Sequence, residues 1–166
     1  MNPKLDRFLY LGEEQYLQSS ELADYQAYLA ELEKKVKVYE IVRDQEVFIF
    51  KILATELQEK YPEERSHIIC EAISQWSLVL KYCCTAMLLD NPEYLESRVE
   101  NWLKELIQLR AVPQMDEILY DTLVEVLPEV LTDAETAFLK PYLEQIQKAI
   151  GLAEELEEPE ELLSLG

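Results

Sequence analysis

Glycine, histidine and basic residues are scarce in this chain. Its 166 residues include 3 glycines and 1 histidine, and 15 lysines and arginines stand against 34 aspartates and glutamates. So few glycines argue against an all-β fold, because tight β-turns depend on them. The net charge of −19 repels phosphate groups. That argues against nucleic acid and against anionic membrane surfaces as partners.

Long apolar runs are also missing from the sequence. No uninterrupted run approaches the roughly 20 residues that cross a bilayer. The first residues have neither the apolar segment nor the cleavage site of a secretory signal. These absences predict a soluble, cytoplasmic protein. Cys70, Cys83 and Cys84 fall in one apolar segment, and this pattern predicts reduced, buried thiols without a disulfide framework.

Apolar residues at helical spacing, divided by prolines, are what the sequence does contain. Hydrophobic residues make up 49% of the chain, which is enough to build the core of a single domain. The spacing predicts helices over residues 21–32 after Ser19 and Ser20, over 33–61, over 63–90, over 92–110, over 113–127 and over 133–150. In the last helix Thr132 is the expected N-cap, Gly151 the expected C-terminal cap, and Pro141 the expected bend or interruption. The pattern indicates an all-α fold.

Two ungapped blocks of the sequence carry the same elements, in the same order, as a known family. Residues 16–46 contain Tyr16-Leu17, Glu21-Leu22 and Lys34-Lys35, and residues 81–113 contain Lys81-Tyr82, Leu95-Glu96, Leu103-Lys104-Glu105 and Val112-Pro113. Together they resemble the phycobiliproteins, the pigment-carrying subunits of the cyanobacterial antenna, over about residues 10–150. The resemblance implies a globin-like helical fold of phycobiliprotein type. It divides the chain into an N-terminal helical extension (1–18), a globin-like domain (19–151) and an acidic, flexible tail (152–166).

The resemblance also implies that the covalent pigment anchor is missing. The anchoring cysteine of the family lies ten residues before the tyrosine of the basic-Tyr pair, which is Ala72 here. The arginine and aspartate that hold the bilin in the family correspond to Ser74 and Gln75. Cys70 lies about 200° around the helix axis from Ala72 and is a poor substitute, although a local shift of the alignment would make it the anchor.

The resemblance also implies a cleft for a free bilin. Family geometry places the pigment between the helix over 63–90 and the helix over 92–110. Trp102, which stands where the family has glycine, either fills this space or offers a stacking face. The predicted binding residues are Ala72, Gln75, Trp76 and Val79 on one side, Trp102 on the other, and Lys81, Arg98 and Lys104 as partners for the propionates. The implied cofactor is a phycocyanobilin-like bilin bound without a covalent bond.

Enzymatic and haem chemistry find little support in the residues. His67 is the single histidine and lies before the helix that would carry the proximal ligand of a haem globin. Cys83 and Cys84 are expected in the core, and the three cysteines have no metal-ligand spacing. The chain has no phosphate-binding glycine loop and no nucleophile motif. We therefore expect a protein that is not an enzyme and holds no metal.

The functional prediction follows the subset of this superfamily that the chain most resembles, the bilin biosynthesis-associated globins. These are short, acidic and without the pigment cysteine. The resemblance implies an accessory role in bilin biosynthesis or phycobiliprotein maturation, through protein contacts, weak bilin binding or both. The alternatives are a structural or assembly subunit of the phycobilisome without covalent pigment, and a haem or redox sensor. Expected partners are bilin-synthesis enzymes or phycobiliprotein subunits, and a second copy through the N-terminal helices. The apolar residues predicted to form that dimer contact are Phe8, Leu9, Tyr10, Leu11, Tyr16 and Leu17.

Overall fold

The computed structural model describes residues 2–14 and 18–157, with side chains up to residue 12 and from 18 to 153. All regular structure in these residues is helical. The helices are α1 (Pro3–Glu14), α2 (Ser19–Asp44), α3 (Glu46–Lys60), α4 (Ser66–Leu89), α5 (Pro92–Leu95), a π-helical turn (Glu96–Glu100), α6 (Asn101–Gln108), α7 (Met115–Val130) and α8 (Asp133–Glu157). The predicted all-α fold is confirmed. Tyr16, Leu17 and the tail from residue 158 lie outside the described residues.

The division between the first two long helices differs from the prediction. Residues 21–32 and 33–44 form one helix, α2, and the chain turns at Gln45 before α3 begins. The segment around residue 32 consists of Leu, Glu and Lys, which are strong helix formers, so nothing there stops the helix. At the start of α2 the carboxylate of Glu21 accepts a hydrogen bond of 2.8 Å from the backbone N–H of Gln18. Gln18 is therefore the N-cap, and Ser19 and Ser20 lie inside the helix.

The junction between α4 and α5 follows the prediction closely. Asp90 ends α4 in the left-handed conformation, with φ 49°. The side chain of Asn91 accepts hydrogen bonds from the backbone N–H groups of Glu93 (3.1 Å) and Tyr94 (3.3 Å). Pro92 is the first residue of α5, where its missing N–H costs nothing.

The last helix continues through a residue expected to bend or interrupt it and past a residue expected to end it. Thr132 and Glu135 cap α8 reciprocally, at 3.2 Å and 3.0 Å, as predicted for Thr132. However, α8 runs through Pro141 without interruption and past Gly151 to Glu157. Burial of Tyr142, Leu143 and Ile146 after the proline, and of Ala153 after the glycine, explains this continuity, because tertiary packing overrides local propensity.

Helix α4 is the centre of the core and packs against α2, α3 and α8. Its length and composition would allow it to span a bilayer, but much of its most apolar stretch is buried inside the domain. A core helix of a globular protein meets the same criterion. The residues that are fully buried along it include Ala72, Trp76, Cys83, Ala86 and Met87.

Helix α1 folds back across α2 and the end of α4. The side-chain amide of Asn2 donates a buried hydrogen bond of 2.6 Å to the hydroxyl of Tyr28. The ammonium of Lys4 lies 2.6 Å from the carboxylate of Asp90. The ring of Phe8 meets that of Tyr25 edge-on at 5.2 Å between centroids. The N-terminal extension therefore contacts its own domain at both polar and aromatic positions.

Candidate functional site

The predicted pigment-facing side of α4 is buried in the protein core. Ala72 and Trp76 are 0% exposed and Val79 is 1% exposed. All three belong to the main apolar cluster, against which Trp102 packs half-buried from α6. These positions fall on the apolar face because α4 carries hydrophobic residues at helical spacing.

Polar side chains of α4 form a hydrogen-bond network with Arg110 and with Asp116 at the start of α7. The indole N–H of Trp76 donates a hydrogen bond of 2.9 Å to Oδ1 of Asp116. The guanidinium of Arg110 binds both oxygens of the same carboxylate, Nε to Oδ2 at 3.0 Å and Nη2 to Oδ1 at 2.9 Å. Arg110 also donates to the side-chain oxygen of Gln75. Asp116 is only 3% exposed, so a fork-like arginine contact neutralises an interior carboxylate.

Sequence reasoning found two members of this network and missed the other two. Gln75 and Trp76 were predicted as site residues, and the structure brings them together. Asp116 follows Pro113 by three residues and has the appearance of an ordinary acidic residue in a first helical turn. The sequence predicts that the preceding helix ends near Arg110, with no role in a site. No local signal marks their pairing, because the indole that completes the network is 40 positions away from Asp116.

Two of the three cationic residues predicted to hold propionates contact other side chains. Lys81 pairs with Glu46 of α3, at 3.1 Å. Arg98 is exposed and lies over the ring of Tyr94, 5.9 Å from its centroid. Lys104 is half-buried on α6. The joint role of the eight predicted residues as a bilin site stays a prediction.

A tetrapyrrole does not fit these residues as the structure arranges them. Ala72, Trp76 and Val79 offer no exposed surface, and the hydrogen-bonding groups next to them already bind one another. Ala72, Trp76 and Val79 therefore lie in the packed core, and the indole N–H of Trp76 is satisfied by Asp116 of α7. The cleft between the helix over 63–90 and the helix over 92–110 stays a prediction.

The histidine and the three cysteines are either exposed at the surface or buried in the core. His67 and Cys70 are exposed, which corrects the expectation that all three thiols are buried. Cys83 and Cys84 are buried, as predicted. Burial raises the pKa of both thiols, and that of Cys84 reaches about 12, so they are poor nucleophiles. Among the described residues, no cluster of three or more His, Cys, Asp or Glu side chains has a metal-binding arrangement.

Comparison with known proteins decides the family. A model of the family described as "Phycobilisome protein" matches residues 12–150, which is most of the chain. This chain belongs to the phycobilisome protein family. Its helices are accordingly those of the globin-like phycobiliprotein fold. The search of curated proteins found no match.

Membership in the phycobilisome family sets the functional class at a coarse level. Proteins of this family are generally structural or light-harvesting and not enzymatic, and they bind bilins. The family also points to association with phycobiliprotein subunits. The finer predictions, on the anchor, the biosynthetic role and the dimer, remain predictions.

Proposed function

We propose that this protein is a non-enzymatic accessory member of the phycobilisome family that carries no covalent bilin. Its role would lie in bilin biosynthesis or phycobiliprotein maturation, and it would act by binding other proteins. The observation that carries the proposal is the closed side of α4. Ala72 stands at the anchoring position and is fully buried, and Trp76, Asp116 and Arg110 bind one another next to it.

Covalent attachment is tested by co-expression with bilin-synthesis enzymes and bilin lyases. The protein is then separated by denaturing electrophoresis and stained with zinc, which makes attached bilins fluoresce. We expect no fluorescent band at the mass of the chain. Cys70 is the exposed thiol nearest the anchoring position, so Cys70→Ser is the control. A band that disappears in this variant would show that the alignment is shifted and that the proposal is wrong.

An exposed apolar surface on the N-terminal helices supports partner binding. Leu22, Leu29 and Val36 of α2 are 45%, 42% and 40% exposed, and Leu9 of α1 is 52% exposed. We call the three α2 residues the α2 stripe. Their spacing of seven places them along one side of the helix, as in helices that pair with another helix. Large apolar side chains exposed in a row mark protein interaction sites.

The α2 stripe would hold a second copy of the chain or a phycobilisome-related partner. Light scattering at tens of micromolar distinguishes a dimer from a monomer, and a chain lacking the first 18 residues shows whether α1 takes part. We expect Leu29→Glu to break the association and Leu78→Glu, with a nearly equal exposure of 41%, to leave it intact. A full-length monomer would rule out the homodimer.

Affinity capture with the full-length protein then separates the two partner classes. Recovery of bilin-synthesis enzymes supports the biosynthetic role, whereas recovery of antenna subunits alone favours an assembly role. The Leu29→Glu chain is the matched control, because a specific partner should be lost with it.

A further inference from the structure

A small cavity lies away from the closed side of α4, where the corner between α2 and α3 meets α4. Its volume is about 120 Å³. The inner wall is apolar and consists of the buried side chains Val42, Phe50, Leu80 and Cys84. An apolar cavity of about 150 Å³ in another protein accepts benzene, so this one suits a single six-membered ring. A four-ring bilin is too large for it.

The mouth of the cavity carries one well-positioned carboxylate. Oε1 of Glu46 accepts a hydrogen bond from the hydroxyl of Ser77 and lies 3.1 Å from the ammonium of Lys81. The hydrogen bond from Ser77, followed by the contact with Lys81, holds the pKa of Glu46 below its ordinary value even though the group is partly buried. Both contacts are made to Oε1. Oε2 therefore has capacity to accept a hydrogen bond from a ligand.

The charges around the mouth favour a donor over an anion. Lys81 is paired with Glu46, and Arg43, the other cation at the rim, is paired with Asp44 at 3.1 Å. An anionic ligand would have to compete with these carboxylates for a cation. A ligand with an N–H or O–H group meets a charged acceptor directly, and hydrogen bonds to a charged group are stronger than neutral ones.

We propose that this cavity binds a small molecule with one aromatic ring that carries an amine or a hydroxyl group. The ring would lie among Val42, Phe50 and Leu80, and the amine or hydroxyl would donate to the carboxylate of Glu46. This ligand site is independent of the proposed accessory function and of the partner surface on α2.

Four probes of similar size test the chemistry: benzylamine, benzyl alcohol, toluene and benzoate. Each is titrated into the full-length protein while the methyl NMR signals of Val42 and Leu80 are followed. We expect saturable shifts with the first two probes. Toluene should bind about fivefold more weakly because it lacks the hydrogen bond, and benzoate about tenfold more weakly than benzylamine because its charge is repelled.

Two leucine variants on α4 test whether the probes bind in this cavity. Ser77→Leu puts a larger side chain at the mouth and should weaken benzylamine binding about tenfold or more. Ser74→Leu, at an exposed position of the same helix that does not line the cavity, should leave binding unchanged. Circular dichroism checks that both variants fold. Full affinity in a folded Ser77→Leu variant would overturn the proposal.

A third variant tests the role of the carboxylate without changing the shape of the cavity. Glu46→Gln removes the negative charge and puts an NH2 donor in place of one of the two oxygens. Benzylamine affinity should fall about fivefold, because its ammonium can only donate, whereas benzyl alcohol, whose hydroxyl can also accept, should change by less than about twofold. No saturable shift with any probe in the wild-type chain, or equal losses for the two probes in Glu46→Gln, would contradict the proposal.

Discussion

At the scale of single residues, Asp116 shows how one buried charge constrains the domain. A carboxylate taken out of water is costly unless partners satisfy it, and removing one partner leaves an uncompensated charge. Asp116 has two donors in Arg110 and one in Trp76, so it links α7 to α4 and to the end of α6. Removal of any one of the three groups should therefore destabilise this side of the domain.

Arg110→Ala should therefore destabilise the protein strongly. We expect the free energy of unfolding to fall by about 3 kcal/mol, since the substitution leaves Asp116 buried without its cation. Urea denaturation followed by circular dichroism measures the change. The control is Arg98→Ala, because Arg98 is exposed and should cost no more than about 0.5 kcal/mol. Equal effects of the two substitutions would show that the network contributes no more than a surface arginine.

The three thiols should differ sharply in reactivity. Cys70 is exposed, whereas Cys83 and Cys84 are buried and have raised pKa values. We expect Ellman's reagent at mildly alkaline pH to modify one thiol per folded chain, and all three after unfolding. Cys70→Ser should abolish the reaction of the folded protein. Rapid modification of a second thiol would indicate that the core around α4 opens frequently.

Sequence reasoning worked for residues whose environment is set locally. The apolar spacing of α4 predicted burial of Trp76 and Cys83, and the Asn91-Pro92 pair predicted the helix junction. It failed for Asp116 and Arg110, because their pairing depends on how α4 and α7 pack. Ala72 and Val79 lie on the buried face of α4, as the apolar spacing predicts, and their role in a bilin cleft stays a prediction.

At the scale of helices, α1 is held by a few contacts and not by the core. Asp90, at the end of α4, pairs with Lys4 of α1 and lies 3.9 Å from Lys35 of α2. The hydrogen bond to Lys4, followed by the charge of Lys35, holds the pKa of Asp90 below its ordinary value, and the same hydrogen bond raises the pKa of Lys4. The docking of α1 should therefore depend on pH.

The docking of α1 should weaken in two pH ranges, an acidic one and an alkaline one, which we call the acidic and the alkaline edge. Because the pKa of Asp90 is lowered by folding, its stabilising effect is complete above its ordinary pKa and is lost as the pH falls through the lowered value. Because the pKa of Lys4 is raised, its effect is complete below its ordinary pKa and is lost as the pH rises through the raised value. We expect the NMR signals of the Phe8 ring, which contacts Tyr25 and Tyr28, to report release of α1 at both edges.

Asp90→Asn is the variant that isolates this effect. Asparagine tolerates the left-handed backbone at this position, so the turn is preserved while the charge is removed. Docking of α1 should be weaker at neutral pH and should no longer change across the acidic edge. Asp44→Asn, in an exposed pair with Arg43, is the control. An unchanged acidic edge in Asp90→Asn would mean that another group controls α1.

Helix ends were predictable from the sequence where a side chain caps the backbone. Thr132 with Glu135, and Asn91 with Pro92, mark such ends locally. The predicted end at Gly151 and an interruption at Pro141 do not occur, because α8 gains more from burying Tyr142, Ile146 and Ala153 than it loses at one proline and one glycine. Packing partners decide such cases, and they lie far away in the sequence.

At the scale of the whole molecule, the closed side of α4 argues against pigment binding, whereas the exposed apolar residues of α1 and α2 favour protein association. Permanent pigment needs an open cleft and an anchor, whereas the α2 stripe needs a partner helix. The net charge of −19 also opposes a pigment with two propionates unless cations face it. Protein association is therefore the use that this arrangement of surface and core favours.

Free bilin binding at the predicted residues would have to open the Asp116 network. A protein whose binding-competent state is rare loses affinity in proportion to its population. We therefore expect phycocyanobilin to bind no more tightly than micromolar, about −8 kcal/mol, when its red absorbance and circular dichroism are followed in a titration.

Trp102→Ala should weaken this binding, because the indole is the predicted stacking face. Arg110→Ala should strengthen it, because loosening the network raises the population of the open state. Binding that neither substitution changes would place the bilin away from the predicted residues, and no signal at about 100 micromolar would leave protein association as the single mode of action.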